Sequence, residues 1–409
     1  SEDFHELTVA AKKLGIRVII DIALNHTGAD SVYFNRLNRY PSVGAWQEQQ
    51  GEGISPYGSW YNFFYKDGKL TYNSWWGFPD LPAVNENDLS FREFVLGEGG
   101  VLLHWLKLGA SGFRLDVSDE LPDDFLRDLY KVVKRAKPDA LILGEVWEDA
   151  TNKYSYHSYR DFAFGKTHDS FMNYPFRNAV VKFFGSKCSA LEFVNALETL
   201  RENYPPEIFM SNMNLLGSHD VSRIVTALSG IHDPGERSKQ VQIHLSPDLR
   251  KEAINRLLMA TLFQSLYPGM PSLYYGDEVA MEGFRDPFNR RTFPWGREEN
   301  SSIVESMRSF YKTRKHSSML RYGYIEMLYA RGEALAFKRY AKDGKGLCGE
   351  KIDEPDITVV LNYSANPMDI RTFKLDLKTL PIEDPDEKIP AHTYWIFQGD
   401  KKRSYTVQI

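Results

Sequence analysis

Cysteine, excess charge of one sign and long apolar runs are all scarce in this sequence. The 409 residues include two cysteines, Cys188 and Cys348, which is too few for a disulfide framework or a cysteine-rich zinc site. The net charge is −5 and no basic stripe is visible, so nucleic-acid binding is not predicted. No apolar run approaches the roughly 20 residues that a membrane-spanning helix needs, so no membrane partner is expected either.

The composition is that of a folded, globular protein. Hydrophobic residues make up 42% of the chain and charged residues 26%, a balance that excludes disorder and collagen-like repeats. At about 100–200 residues per domain, the length predicts two or three domains. Aromatic residues reach 14%, and because aromatic faces stack on sugars as well as fill cores, this content is the first hint of a function.

Apolar runs alternate with amphipathic helical stretches along most of the chain. The first helix is predicted to bury Phe4, Leu7 and Ala11. Buried strands are predicted in IRVIIDIAL after Gly15 and at 112–117, 140–147, 169–174, 212–220 and 270–278, with further helices at about 122–137, 250–266 and 302–315. This alternation predicts a parallel sheet, either an open doubly wound sheet or a (β/α)₈ barrel. No GxGxxG fingerprint follows the first strand, which weakens a nucleotide-binding version of the open sheet.

Two segments interrupt the alternation. Residues 27–92 form a long insertion in which ten of the 22 residues from 57 to 78 are aromatic, and an insertion of this length is usually a functional loop or a subdomain. Most of these rings are expected to form its core. Candidate sugar-stacking residues are Trp60, Trp75, Trp76 and Phe288. The last stretch, about 320–409, contains ALAFKRY, ITVVLNY and HTYWIF, which predict a small antiparallel β-domain.

Polar side chains follow nearly every predicted strand. The five groups are Asp21 with Asn25 and His26, Arg114 with Asp116, Glu145 with Trp147, His219 with Asp220, and Asp277 with Glu278. A strand buried on both faces has no use for a charge unless the charge is paired or functional. One such group would be read as a cap or an ion pair. Five on successive strands indicate a shared site at the carboxyl ends of the strands.

Three carboxylates in this set suggest the chemistry. Arg114 and Asp116 are two residues apart and therefore point to the same side of their strand, where the guanidinium would keep Asp116 ionised. Glu145 lies beside apolar residues, and partial desolvation would favour its protonated form, as a proton donor requires. Two carboxylates with divided roles are the equipment of glycoside hydrolysis.

Several motifs resemble the α-amylase family of glycoside hydrolases, family 13. IDIALNH, GFRLDVSDE, ILGEVW and LLGSHD are similar to four ordered signature regions of that family, and GMPSLYYGDEVAMEG is similar to its eighth strand. GFPDLPAVNE and DPFNRRTFPW are most similar to the branch of neopullulanases, cyclomaltodextrinases and maltogenic amylases. The resemblance implies an α/β fold, a (β/α)₈ TIM barrel lacking its first two strands in this chain.

The resemblance also implies a division into domains. The expected parts are barrel at 1–26, inserted domain B at 27–92, barrel at 93–319 and a C-terminal antiparallel β-domain at 320–409. In this alignment the inserted, aromatic-rich subdomain follows strand three. The two missing strands would belong to a further segment or be supplied by another chain, because six strands do not close a barrel.

By resemblance, the mechanism is retaining. Asp116 would be the nucleophile, Glu145 the proton donor and then the base, and Asp220 a ligand of the sugar hydroxyls. Other residues implied to bind substrate are His26, Arg114, His219, Glu120, Trp147, Asp286 and Arg290. No cofactor is required. Asn25 is a possible calcium ligand, although Asp119-Glu120 stand where calcium-dependent amylases carry Lys-His.

The predicted activity is hydrolysis of α-1,4 and possibly α-1,6 bonds in maltooligosaccharides, cyclodextrins, pullulan or starch. One alternative is a metal-dependent, amidohydrolase-type barrel with His26, His219 and Asp220 as ligands. Another is a non-catalytic glycan-binding protein on the same fold. A possible homodimer and a cytoplasmic location complete the expectations.

Overall fold

The computed structural model describes residues 1–299, 301–384 and 386–407. The chain divides into two compact units, Ser1–Met172 and Asn173–Ile409. All six predicted parallel strands are present, and all are shorter than their apolar runs. No helix in the described ranges combines the length and the apolar character that crossing a bilayer demands.

The first unit is built on a four-stranded parallel sheet. Its helices are α1 (Glu2–Lys13), α2 (Ala45–Gln49), α3 (Leu89–Leu96), α4 (Val101–Lys107) and α5 (Asp123–Ala136), and its strands are β1 (Ile20–Ala23), β2 (Phe63–Lys66), β3 (Lys69–Tyr72), β4 (Gly112–Asp116), β5 (Leu141–Gly144), β6 (Tyr154–Ser155), β7 (Ser158–Tyr159) and β8 (Ser170–Phe171). The sheet has the order β1-β4-β5-β8. Its register pairs Asp21 with Arg114 and Leu115 with Gly144, so the carboxyl ends of β1, β4 and β5 lie side by side.

The first helix is rotated relative to the prediction. Leu7 is 55% exposed, whereas Thr8 and Ala11 are buried, so the expected burial of Leu7 was wrong. Thr8 packs against Gly109, where a Cβ would come within 2.3 Å of its hydroxyl oxygen. The same hydroxyl donates to the carbonyl of Leu108 at 2.7 Å. This satisfied hydrogen bond lets a polar residue occupy the buried face.

The insertion folds around its own aromatic rings, as predicted. The Phe34 ring is fully buried and lies 4.9 Å from that of Tyr61 and 4.7 Å from that of Tyr72, separations typical of aromatic pairs in cores. Trp60 is only 2% exposed, so its prediction as a sugar-stacking residue was wrong. Trp76, in contrast, is 75% exposed.

The second unit contains two more parallel strands and an antiparallel sheet. Its helices are α6 (Tyr174–Phe184), α7 (Ala190–Asn203), α8 (Pro206–Ser211), α9 (Ile224–Leu228), α10 (Arg237–Gln240), α11 (Pro247–Leu266), α12 (Ser302–His316) and α13 (Ser318–Tyr322). Its strands are β9 (Met213–Leu215), β10 (Met270–Ser272), β11 (Tyr324–Arg331), β12 (Ala334–Tyr340), β13 (Ile357–Asn362), β14 (Met368–Asp369), β15 (Lys388–Ile389), β16 (Thr393–Gln398) and β17 (Lys401–Thr406). β9 and β10 pair in parallel.

The predicted C-terminal β-domain is confirmed. Five antiparallel strands form one sheet in the order β11-β12-β13-β16-β17. Residues on one face of this sheet, among them Ala336, Val360 and Trp395, share a buried cluster with Phe373 and Ile389. The three sequence runs quoted above became β12, β13 and β16. The outer strands β11 and β17 are more exposed and mixed in polarity, which hid them from the pattern.

Candidate active site

A single guanidinium binds three carboxylates at the carboxyl end of the first unit's sheet. Nη1 of Arg114 lies 2.8 Å from Asp21 and 2.6 Å from Asp116, and Nη2 lies 2.9 Å from Glu145. Asp116 is the last residue of β4 and Glu145 follows β5 directly, so neighbouring parallel strands bring them to one edge. The pairing of Arg114 with Asp116 was predicted from their spacing; its contacts with Asp21 and Glu145 were not.

The backbone after Asp116 contributes a further donor. The amide of Val117 donates to Oε2 of Glu145 at 2.9 Å, and Val117 has a φ of 43°. A left-handed conformation is costly for a β-branched residue and persists only where its surroundings enforce it. The turn therefore aims a backbone N–H at one of the two candidate catalytic carboxylates and links the segment after β4 to the end of β5.

Buried residues hold this turn in place. The Nε2 atom of His168 and the hydroxyl of Ser118 are hydrogen-bonded at 2.6 Å, and burial lowers the pKa of His168 to about 3. The imidazole is therefore neutral near pH 7. Arg160 donates to the carboxylate of Asp123 and to the carbonyl of Asp119, both at 2.7 Å. Neither His168 nor Arg160 belongs to a recognisable motif, and sequence reasoning missed both.

His26 lies near the nucleophile candidate, as the resemblance implied. Burial lowers the pKa of His26, while the negative charge of Asp116 acts in the opposite direction. Its ring stacks on Trp75 with centroids 5.3 Å apart. A neutral imidazole beside Asp116 can donate to or accept from a sugar hydroxyl.

Asn25 is the residue for which calcium binding was considered. Its side-chain oxygen lies 3.4 Å from Nδ1 of His26, and its amide nitrogen donates to Glu86 at 3.5 Å. Burial raises the pKa of Glu86 to about 7, so this neighbouring carboxyl is not fully charged near neutral pH. Calcium takes six to eight oxygen ligands and favours charged ones. A calcium ion at Asn25 stays a prediction.

Glu120 and Trp76 form a polar contact beside this group. The indole Nε1 of Trp76 donates to Glu120 at 2.5 Å, and burial raises the pKa of Glu120. Trp76 has a φ of 49°, and its exposed ring lies 5.9 Å from that of Trp75. Trp147, which follows Glu145 on the chain, is 42% exposed.

In the second unit, Asp220 contacts a tyrosine hydroxyl and an imidazole. Its Oδ2 accepts from the hydroxyl of Tyr174 at 3.2 Å and lies 3.2 Å from Nε2 of His219. The hydroxyls of Tyr174 and Ser218 are 3.1 Å apart, and Ser218 also accepts from the Asp220 amide at 3.2 Å. The structure thus brings His219 and Asp220 together, as predicted. Tyr174 was missed because it begins a helix after a weak strand.

Asp286 and Arg290 lie beside the same turn. Nε of Arg290 is 3.4 Å from Asp286 and donates to the carbonyl of His219 at 3.2 Å, while Nη2 lies 3.7 Å from Asp220. Asp286 and Arg290 therefore form an ion pair within this loop, and Arg290 also lies next to Asp220; their binding of substrate stays a prediction. Phe288 precedes the buried Asn289 in the same short 3₁₀-helix, Phe288–Arg290.

A buried ionic group lies behind this turn. Asp277 is 3.3 Å from Nη1 of Arg223, and both side chains are almost fully buried. Burial raises the pKa of Asp277 to about 7, and the charge of Arg223 opposes the rise. A Cβ on Gly217 would come within 2.4 Å of Asp277, so glycine is required there. Asp277 was recognised as a strand-end residue, but its partner Arg223 was not.

The metal-dependent alternative receives no support. Within the described parts of the chain, no group of three His, Cys, Asp or Glu side chains is arranged to hold a metal ion. The imidazoles of His26 and His219 instead face Asn25 and Asp220, respectively.

Comparisons with known proteins agree with this chemistry. The model of the α-amylase catalytic domain matches residues 1–322. An amylopullulanase of Thermoanaerobacter thermohydrosulfuricus is 36% identical over 402 residues, which cover 91% of this chain and 26% of the relative. A cyclomaltodextrinase of Thermoanaerobacter pseudethanolicus is 33% identical over 372 residues, 88% of this chain and 54% of the relative. The chain thus spans about a quarter to about half of the length of these two relatives.

A solved structure shows the same fold. The cyclic α-maltosyl-(1→6)-maltose hydrolase of Arthrobacter globiformis superposes with a TM-score of 0.75 at 23% identity, over 97% of this chain and 79% of that one. The motifs, the strand-end carboxylates and the match over most of the chain lead to one conclusion. The chain belongs to the α-amylase family of glycoside hydrolases and carries, in addition, a C-terminal antiparallel β-domain.

Proposed function

We propose that this chain hydrolyses α-glucosidic bonds with retention of configuration. The observation that carries the proposal is the contact of Arg114 with both Asp116 and Glu145, at 2.6 and 2.9 Å. One guanidinium holds two carboxylates at the ends of adjacent strands, and a close carboxylate pair is what a retaining glycosidase requires. Family membership and the names of the relatives support the same activity.

The charge balance assigns the roles of the two carboxylates. Three carboxylates share one positive charge, and repulsion between like charges favours a proton on one of them. The Glu145 side chain is 8% exposed, against 29% for Asp116 and 59% for Asp21, and burial penalises the charged form of a carboxyl group. We therefore assign Glu145 as the proton donor and Asp116, the more exposed of the two, as the nucleophile.

The proposed reaction has two steps. A carboxylate oxygen of Asp116 attacks the anomeric carbon, the bond to the leaving oxygen breaks, and Glu145 gives its proton to that oxygen. Glu145 then takes a proton from water, the water oxygen attacks the anomeric carbon, and the bond to Asp116 breaks. Each residue ends in its starting state. We assign Asp220, His219 and His26 to the hydroxyls of the reacting sugar, and Glu120, Trp147, Asp286 and Arg290 to neighbouring sugars.

We propose α-1,4 and α-1,6 glucans as substrates, among them maltooligosaccharides, cyclodextrins, pullulan and starch. Support comes from an amylopullulanase and a cyclomaltodextrinase among the relatives. A third relative, of Thermoactinomyces vulgaris, is called neopullulanase 2 and is 31% identical to this chain.

We further propose that the six parallel strands are strands three to eight of a (β/α)₈ barrel, with domain B at 27–92 inserted after strand three. Barrel segments at 1–26 and 93–319 and the β-domain at 320–409 complete this division. A homodimer and a cytoplasmic location stay predictions.

Replacing Glu145 by Gln tests the proposed function. We expect release of reducing ends from starch, pullulan and β-cyclodextrin to fall by about 10²–10⁴-fold, since the proton donor is lost, with binding of maltoheptaose retained. Glu148→Gln is the matched control, because Glu148 is exposed and pairs with Lys153. Early products, followed by proton NMR, should have the α configuration.

Two outcomes would contradict the proposal. Near wild-type rates in Glu145→Gln would remove Glu145 from the reaction. A wild-type chain that retains maltoheptaose without ever releasing reducing ends would favour the glycan-binding alternative.

A further inference from the structure

The buried side chain of Asn289 donates hydrogen bonds to the backbone of the turn that carries His219 and Asp220. The side-chain nitrogen of Asn289 lies 2.7 Å from the carbonyl oxygen of His219, 2.8 Å from that of Val221 and 3.5 Å from that of Ser218. Asn289 is fully buried. The turn residues from 218 to 221 therefore receive donors from a residue about 70 positions later in the chain.

The orientation of this amide follows from its neighbours. An amide oxygen facing carbonyl oxygens would be repelled, so the NH₂ group must face the turn. The amide oxygen of Asn289, on the other side, finds no hydrogen-bond partner among the residues that the structure describes. A buried amide with one end unsatisfied is retained for what its other end does.

Two further hydrogen bonds, made by Arg290 and Tyr274, hold Asn289 and the turn together. Nε of Arg290 donates to the same His219 carbonyl at 3.2 Å, and the hydroxyl of Tyr274 donates to the backbone carbonyl of Asn289 at 3.4 Å. The 3₁₀-helix Phe288–Arg290 is thereby fixed against the 218–221 turn. Displacement of this turn would move the side chains of His219 and Asp220 together.

We propose that Asn289 is a positioning residue for Asp220 and His219. Its two N–H groups fix the backbone of the turn, and the turn in turn fixes the direction of the carboxylate and the imidazole. The inference rests on the proposed function, in which these two side chains bind the reacting sugar.

The chain offers a matched control for this residue. Asn362 is also fully buried, and its side-chain nitrogen donates to the carbonyls of Asn366, Ile389 and Pro390 at 2.8, 3.1 and 2.9 Å. These hydrogen bonds lie in the C-terminal sheet domain. Asn362→Ala thus removes three donor contacts to backbone carbonyls, as Asn289→Ala does, and also two contacts of its amide oxygen with Ser364, at a place with no proposed role in sugar binding.

The expected result is a difference between the two variants. Asn362→Ala should lower the melting temperature at least as much as Asn289→Ala, but only Asn289→Ala should lower kcat, by about 10–100-fold, since small displacements of reacting groups are this costly. Asn289→Ala should also weaken maltoheptaose binding several-fold, measured by calorimetry, where Asn362→Ala should not. Asn289→Ser keeps one donor and should be intermediate. Because it disturbs the turn less, it also serves if the alanine variant folds poorly.

A double-mutant cycle separates positioning from general destabilisation. In an Asp220→Asn background, Asn289→Ala should reduce kcat by a smaller factor than in the wild type, because one of the two side chains that Asn289 positions is already altered and residues that act through one another are not additive. A full additional loss in that background would overturn the inference, as would equal kcat values for Asn289→Ala and Asn362→Ala. Wild-type activity tests the proposed function separately, and the calorimetric comparison tests Asn289 even where no turnover is seen.

Discussion

The two units hold their strand-end carboxylates in contrasting ways. In the first unit, Asp116 and Glu145 depend on the buried guanidinium of Arg114, at 2.6 and 2.9 Å. In the second, Asp220 is held by a tyrosine hydroxyl at 3.2 Å, while Arg290 is 3.7 Å away and 47% exposed. In the first unit the positions of two carboxylates depend on one residue, so a single substitution should displace both. In the second unit several hydrogen bonds hold one carboxylate, so each substitution should have a smaller effect.

The largest effect is expected from Arg114→Met. Removing one partner of a buried charge cluster leaves uncompensated charge, which typically costs about 3–5 kcal/mol of unfolding free energy. Displacement of Asp116 and Glu145 should lower kcat by about a hundredfold or more. Urea denaturation and reducing-end assays measure the two effects.

Arg17→Met is the control for this comparison. Arg17 and Asp139 form an ion pair at 3.4 Å in which both side chains are more than 60% exposed, and such pairs contribute about 0–1 kcal/mol. If Arg114→Met were no more harmful than Arg17→Met, the contrast between a concentrated and a distributed arrangement would be lost.

Tyr174→Phe should have an intermediate effect. It removes the hydroxyl that donates to Asp220 and contacts Ser218, but leaves the other contacts of the turn in place. One neutral hydrogen bond contributes about 0.5–1.5 kcal/mol, so we expect kcat to fall about 2–10-fold, with a similarly modest loss of stability.

Tyr394→Phe supplies the comparison for Tyr174. Tyr394 is fully buried and donates to the carbonyl of Met259 at 3.1 Å, away from the residues assigned to sugar binding. The Tyr394→Phe variant should be less stable than the wild type and should keep its kcat. A hundredfold fall in Tyr174→Phe would show that the second unit also depends on a single residue.

The smallest effect near neutral pH is expected from the titration of His168, which changes stability only as the pH is lowered. His168, whose pKa burial lowers to about 3 from an ordinary value of 6.5, stays neutral in the folded chain while the unfolded chain takes up a proton. Stability is therefore lost as the pH falls below 6.5, by up to about 1.4 kcal/mol per pH unit. His168→Gln should flatten this slope in urea denaturation between pH 6.5 and 4.5, and leave it unchanged above pH 7.

The slope above pH 7 provides the reference for that measurement, because His168→Gln and the wild type should agree there. An equal slope for the two chains between pH 6.5 and 4.5 would mean that His168 takes up its proton in the folded chain as readily as in the unfolded chain, which would contradict its burial as a neutral imidazole.

Sequence patterns predicted those parts of the fold and the site that depend on near neighbours. The strands at Ile20–Ala23 and Gly112–Asp116 follow from continuous apolar runs, and the contact of Arg114 with Asp116 follows from a spacing of two residues. Leu7 was misplaced because helical periodicity gives the spacing of a face but not its rotation about the helix axis. Trp60 was misassigned for a related reason, since burial depends on packing partners elsewhere in the chain.

Other parts of the site join residues that are distant in sequence. Glu145 reaches the Val117 amide across 28 positions, Tyr174 reaches Asp220 across 46, and Asn289 reaches the His219 carbonyl across 70. Because sequence periodicity relates only residues within one short segment, it does not predict contacts between partners this far apart.

The amino-acid sequence alone therefore determined the alternation of strands and helices, the family, and the carboxylates at the strand ends. These features depend on the polarity and spacing of residues that are close together in the chain. The tertiary structure decided that the guanidinium of Arg114 binds three carboxylates and that the side-chain amide of Asn289 donates to the turn of Asp220. The reason is physical: hydrogen bonds and ion pairs depend on ångström-scale separations, which exist only once the chain has packed.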